Sequence, residues 1–264
     1  MFRGIYTGTS AMLVQSAGID VAANNLANVG TSGFRGRRAV NEAFPSLLMS
    51  RIEADEKRFG VERRLVLGGK TPIGDAALTT VLSETALRTS AGSVQVTGNP
   101  LDVAAGEEGY FVVTDDGGNV FYTRSGHFVR DDQGRLVTHD GYRVQGDGGD
   151  IEFGEGQELL IGDGGQISVD GEIVGNLRFV TFENPTWLRQ VGKSLVTETE
   201  ASGAAQDLDN YRIIPGALEM SNVHVVEEMV RMMDAHRAYE ASAKCVTTQD
   251  ESASRLTTAF GKTG

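Results

Sequence analysis

The chain has 264 residues, enough to bury a substantial core in one large domain or two smaller ones. Its 40% hydrophobic and 23% charged residues exclude a disordered polymer, and no apolar run reaches the length that crosses a bilayer, so membrane insertion is not expected. The formal charge of −12 is concentrated: from Pro100 to Leu160 there are 13 acidic and 4 basic residues, a surface that repels phosphate backbones and makes nucleic acid a poor partner.

Residues 1–33 are the first segment, helical over 1–28. Ile5, Met12, Ile19 and Leu26 recur every seven residues, with the small Thr9, Ser16 and Ala23 in the neighbouring row. That spacing is the seam of a helix that packs on another helix. One apolar stripe is too little to hold such a helix by itself, so it is expected to order only against a partner. Met1 to Thr7 has no basic region followed by an apolar stretch, and no cleaved secretory signal is expected. Val29-Gly30-Thr31-Ser32-Gly33 suits a helix stop and chain reversal.

Residues 34–77 form a connecting, partly extended segment. Lys57, Arg58, Arg63 and Arg64 are interleaved with Glu53, Asp55, Glu56 and Glu62, which reads as a solvated ion-pair face. Gly69-Lys70-Thr71 has the tail of a phosphate-binding loop. That loop needs a glycine where Arg64 stands, and Leu65-Val66-Leu67 are too apolar to wrap a phosphate.

Residues 78–218 read as β structure, with short apolar or aromatic runs between turn residues. Tyr110-Phe111-Val112-Val113 and Val120-Phe121-Tyr122 flank a turn from Asp115 to Asn119. Ile167-Ser168-Val169 and Glu172-Ile173-Val174 flank Asp170-Gly171, a two-residue hairpin signal. Gln133-Gly134 and Asp140-Gly141 mark further reversals. Asp147-Gly148-Gly149-Asp150 and Gly162-Asp163-Gly164-Gly165 lack the spacing of calcium loops and read as acidic hairpin turns. His127, His139, His224 and His236 are too dispersed in sequence for a metal set, and no Gly-x-Ser-x-Gly elbow occurs. No catalytic, cofactor-binding or metal-binding residue nominates itself, so the chain is not expected to be an enzyme.

Residues 219–264 carry the second long helix. Val225, Met232, Tyr239 and Val246 repeat the seven-residue spacing, with Met229 and Ala243 beside them. Cys245 is the only cysteine, which excludes an internal disulfide; it reads as a small packed side chain, and His236 as a helix-face residue. The fold class is therefore α+β, a central all-β domain (barrel- or sandwich-like) between terminal helices that meet each other or their copies in neighbouring molecules.

Asn24-Asn25-Leu26-Ala27-Asn28-Val29-Gly30-Thr31-Ser32-Gly33-Phe34-Arg35 closely resembles the NNLANxxTxGF[KR] signature of the bacterial flagellar axial proteins of rod and hook. Leu218-Glu219-Met220-Ser221-Asn222-Val223, Val226-Glu227-Glu228-Met229-Val230 and Arg237-Ala238-Tyr239-Glu240 resemble that family's closing helix. Asn99-Pro100-Leu101-Asp102-Val103-Ala104, Gly109-Tyr110-Phe111 and Tyr122-Thr123-Arg124-Ser125-Gly126 resemble its middle domain. The resemblance implies terminal helices paired in an inner coiled-coil layer around a narrow channel, with the β domain outside. It implies a structural subunit of the periplasmic basal-body rod that transmits torque to the hook. Implied partners are copies of itself, other rod proteins, hook-side axial proteins, the flagellar type III export apparatus and basal-body ring proteins.

Within the family, the tight Asp170-Gly171 turn, Asp147 to Ile151 and Phe182-Glu183-Asn184-Pro185-Thr186 favour the proximal-rod type (FlgF), with the distal-rod type (FlgG) second. The expected assembly residues are Ile5, Met12, Ile19, Asn24, Asn25, Leu26, Asn28, Val226, Met229, Val230, Met233, Tyr239 and Val246. Met229, Val230, Met233 and Tyr239 should form a packed seam, and the amides of Asn24, Asn25 and Asn28 should bridge helices or cap the turn. His224 departs from the family, standing where Asp or Asn usually follows Ser-Asn-Val; Asn222 takes over the cap, or the helix starts more loosely. A secreted escort or cap and a cell-wall-acting enzyme are the readings from other classes.

Overall fold

The computed structural model describes residues 3–43, 47–59, 62–76, 80–106, 108–154, 159–208 and 211–261, with the side chains of 3, 42–43, 47–59, 62–76, 80–83 and 260–261 outside the description. Two long helices, α1 (Arg3–Ala27) and α2 (Val225–Gly261), enclose a run of short strands in the sequence. This is an α+β chain. It divides into two compact units, Met1–Asp20 with Ala39–Glu84 and Met232–Gly264, and Val21–Arg38 with Thr85–Arg231.

In the first unit the helices run antiparallel and very close. Gly4 of α1 faces Gln249 of α2, Gly8 faces Val246 and Gly18 faces Ala235. A Cβ added to Gly8 would lie 2.6 Å from Val246 Cγ2, inside any real contact distance. Small residues on α1 thus set the approach, as they do wherever helix backbones pack closely. The large residues of the heptad row, Ile5, Met12 and Ile19, are half-buried, whereas Tyr6 and Leu13 are 71% and 68% exposed. Cys245, expected to be packed, is exposed. It is one residue from Val246 and therefore about 100° around the helix from the side that meets α1. The same unit holds a long antiparallel hairpin, Leu47–Phe59 with Glu62–Ala76. Its register sets Lys57 opposite Arg64 and Arg58 opposite Arg63. Whether their side chains form the expected ion-pair face lies outside the described residues.

The second unit is built on an antiparallel sheet of ten strands among the described residues. Its main path runs Arg189–Val191, Leu195–Thr197, Val120–Thr123, Tyr110–Thr114, Arg143–Gly146, Leu136–Thr138, Phe128–Arg130. The central strand explains why the sequence reads apolar without alternation. Side chains alternate across a sheet, and here both faces are covered. Phe111 and Val113 enter one apolar cluster with Phe128, Leu136, Ile167 and Phe179, while Tyr110 and Val112 enter another with Tyr122, Val180, Phe182 and Val196. Edge-to-face rings join each cluster: Phe111 to Phe179 at 5.2 Å, and Tyr122 to Phe182 at 4.9 Å.

The turns follow their chemistry. Asp170 and Gly171 have φ of 53° and 88° between the paired Val169 and Glu172, the left-handed pair that a two-residue hairpin demands. Asp147 to Asp150 closes a second tight hairpin, with Gly146 opposite Gly149 and Gln145 opposite Asp150. Gly162 to Gly165 joins the paired strands Leu159–Ile161 and Gln166–Val169. All three are turns in a β framework, as their spacing predicts.

Candidate assembly surface and polar clamp

The helix-turn signature and the segment before α2 meet in the second unit, and their polar residues are buried there. Asn25 is fully buried. Its Oδ1 accepts from the Arg37 amide at 2.9 Å and its Nδ2 donates to the Arg37 carbonyl at 2.8 Å, copying a strand partner. The same Nδ2 donates to Glu228 Oε2 at 3.0 Å. Glu228, 1% exposed although it lies in the first turn of α2, also accepts from Arg88 at 2.6 Å and Arg231 at 3.0 Å. Asn25 thereby links the end of α1 to the start of α2.

Glu219 is the second anchor. It is 3% exposed and accepts from Arg35 Nη2 at 2.8 Å, Arg124 Nε at 2.7 Å and the Gly92 amide at 2.9 Å. Arg35 also donates to the Ser90 carbonyl, and Arg124 to that of Gly109 at 2.5 Å. Burial pushes the Arg35 guanidinium below its ordinary value, against the pull of Glu219. A buried carboxylate with two guanidiniums and an amide satisfies its acceptor sites, and this is the condition under which such charges stay in a core.

Asn222 binds the third side. Its Oδ1 accepts from the Gly36 amide at 2.8 Å, and its Nδ2 donates to the carbonyls of Arg88 and Ser90 at 3.0 and 2.8 Å. It is therefore spent on backbone groups just outside the strands Arg37–Ala43 and Thr80–Leu87 and does not cap α2. At His224 the carbonyl accepts from the Glu228 amide at 3.1 Å, and Glu227 and Glu228 supply negative charge to the first turn. Gly33 closes the signature. Its φ is +67°, its amide donates to the Glu219 carbonyl at 2.8 Å, and a Cβ there would stand 2.2 Å from the Ser125 amide nitrogen. Both the left-handed backbone and the space admit only glycine.

The expected assembly residues sort into two groups. Asn25 is at the centre of the clamp, and Leu26 is half-buried. Asn28 caps the end of α1, donating to the Asn24 carbonyl at 2.8 Å, while Asn24 itself is exposed. Tyr239 and Val246 are half-buried, Val246 against Gly8. Val226, Met229, Val230 and Met233 are 75%, 49%, 45% and 51% exposed, so they form no packed seam within the chain. They fall at i, i+3, i+4 and i+7, one apolar stripe along α2. Glu219, Glu228, Arg88 and Arg124 were not singled out from sequence, although Glu219, Glu228 and Arg124 stand inside the quoted motifs. A charged residue inside an apolar helix-start motif was the available signal.

Three parts of the chain match flagellar families: residues 5–35 the flagella basal body rod protein family, 105–169 the flagellar hook protein FlgE/F/G D1 domain, and 214–259 the flagellar basal body rod FlgEFG protein C-terminal. The chain is 34% identical to the flagellar basal-body rod protein FlgG of Bacillus subtilis, over 95% of this chain and 96% of that protein. It is 32% identical to FlgG of Caulobacter vibrioides, over 94% and 96%. It is 26% identical to the flagellar hook-basal body complex protein FlhO of Bacillus subtilis, over 99% and 100%. The expected preference for the proximal FlgF type is not supported, since the two more similar of these three relatives carry the FlgG name. The chain belongs to the flagellar basal-body rod FlgE/F/G family, whose members are structural proteins and not enzymes, and it is a structural subunit of the basal-body rod.

Proposed function

We propose that the chain is a distal-rod subunit of the FlgG type, polymerising through its terminal helices into the drive shaft that carries torque to the hook. The observation that carries this reading is the end-to-end similarity to proteins named FlgG. The stripe of Val226, Met229, Val230 and Met233 supports the helical part, because solvent is a poor partner for four apolar residues on one helix face. Neighbouring subunits would cover the stripe, and the helices would form the coiled-coil layer around the export channel. The subunit would pass through the flagellar type III apparatus and act in the periplasmic part of the basal body.

The test is imaging of flagellar motors in a strain with an in-frame deletion, complemented by the intact gene. A retained proximal stub with no distal rod is the expected result. Loss of the whole rod would return the assignment to the proximal type. A full-length rod and hook would overturn the rod reading and favour an escort.

A further inference from the structure

The histidines that look dispersed in sequence are not dispersed in the fold. Leu136, Val137 and Thr138 pair with Arg130, Val129 and Phe128, so the next opposed positions are His139 and His127. Their rings lie 5.8 Å apart between centroids, at 44°. On the other side, the backbone of His127 bridges Asp102. Asp102, His127 and His139 therefore form one row across three adjacent chain segments. Residues opposed in this way project to the same face.

We propose that His127 and His139 form a two-imidazole site for a nitrogen-preferring first-row divalent cation, the class of Cu2+, Ni2+ and Zn2+. Two imidazoles that share one ion at about 2.0–2.1 Å per nitrogen hold their ring centres roughly 5–6 Å apart, which is the spacing present. Asp102 sets the chemistry of the first ring. Its carboxylate, with a side chain only 4% exposed, lies 2.8 Å from His127 Nδ1 and also accepts from Thr97 Oγ1 at 2.7 Å and Asn99 Nδ2 at 3.2 Å. A carboxylate only accepts, so Nδ1 carries the hydrogen and the Nε2 lone pair is left to bind. A carboxylate behind a histidine in this way is the usual second layer of a metal site. Both rings are open to solvent, His127 at 38% of its side chain and His139 exposed. Among the described residues no group of three or more His, Cys, Asp and Glu is placed to hold a metal ion, so the proposed site rests on the two imidazoles, and water would fill the remaining positions. The inference does not depend on the rod assignment.

The test is calorimetric titration of the full chain, stripped with chelator, with Cu2+ or Ni2+ alone in neutral buffer. One ion per chain is expected. His139→Ala removes an exposed side chain and should weaken binding about tenfold or more, and Asp102→Asn about tenfold with both imidazoles kept. His236→Ala, elsewhere on α2, should change nothing. Circular dichroism of each variant confirms that the comparison is between folded chains. Equal binding by the intact chain and His139→Ala, or loss of binding in His236→Ala, would overturn the site.

Discussion

The strand Tyr110–Thr114 and the helix α2 lie in one chain and solve opposite problems. The strand buries both its faces, with Phe111 and Val113 in one cluster and Tyr110 and Val112 in the other. The helix buries Glu228 and leaves Val226, Met229, Val230 and Met233 exposed. A charged residue inside and an apolar stripe outside invert the usual order. The strand's apolar side chains are covered within the chain, whereas the apolar stripe on the helix is left uncovered by it. The difference separates residues buried by the chain's own fold from residues that the proposed assembly would have to cover.

Removing Glu219 should break this arrangement most. Glu219→Ala leaves Arg35 and Arg124 buried without their carboxylate, a loss of about 3–5 kcal/mol, read as a lower denaturant midpoint for the purified chain. Full retention of stability would show that the clamp is idle. Asn25→Ala deletes the bonds to both Arg37 backbone groups and to Glu228, and should cost about 1–3 kcal/mol. Hydrogen exchange should then rise first at the Arg37 amide.

Gly8→Ala pits two effects against each other. Alanine favours a helix by about 1 kcal/mol, while the added methyl meets Val246 and overpacking costs about 1–3 kcal/mol. Net destabilisation is expected, and Val246→Ala in the same chain should reverse it. A stabilised single variant would mean that the helices can separate freely at this point.

Tyr211 gives the pH test. Burial pushes its hydroxyl from 10.0 up to about 12, with the charge of Asp147 adding to the shift, and the hydroxyl donates to the Leu177 carbonyl. A raised phenol stabilises the fold fully below pH 10 and loses that contribution as pH rises toward 12. Tyr211→Phe should flatten the alkaline limb of the stability curve, and an unchanged limb would contradict the shift. The smallest effect on the isolated chain belongs to Met229→Asp. At an exposed site it should change stability by no more than about 0.5 kcal/mol, yet abolish rod assembly and motility. Wild-type motility would remove the stripe from the interface.

Much of this was legible in the sequence. The heptad rows at both ends announce helices, and Asp170-Gly171 announces its hairpin, because period and turn chemistry are local properties. The clamp was only half legible. Asn25 stood out within the signature, but its partners Arg37 and Glu228 are 12 and 203 residues away. The stripe was legible as apolar spacing, but its direction was not. Seven-residue spacing does not tell which face meets α1, and the glycines at 4 and 8 decided that face in favour of Val246 and Gln249. The sequence by itself therefore determined the α+β class, the end of the first helix before Val29 and the family signature, since each follows from neighbours along the chain. Tertiary structure alone decided that Glu219 and Glu228 are buried, that Met229 is exposed and that His127 meets His139. Burial and pairing depend on groups that folding brings together from distant positions, and no local pattern encodes them.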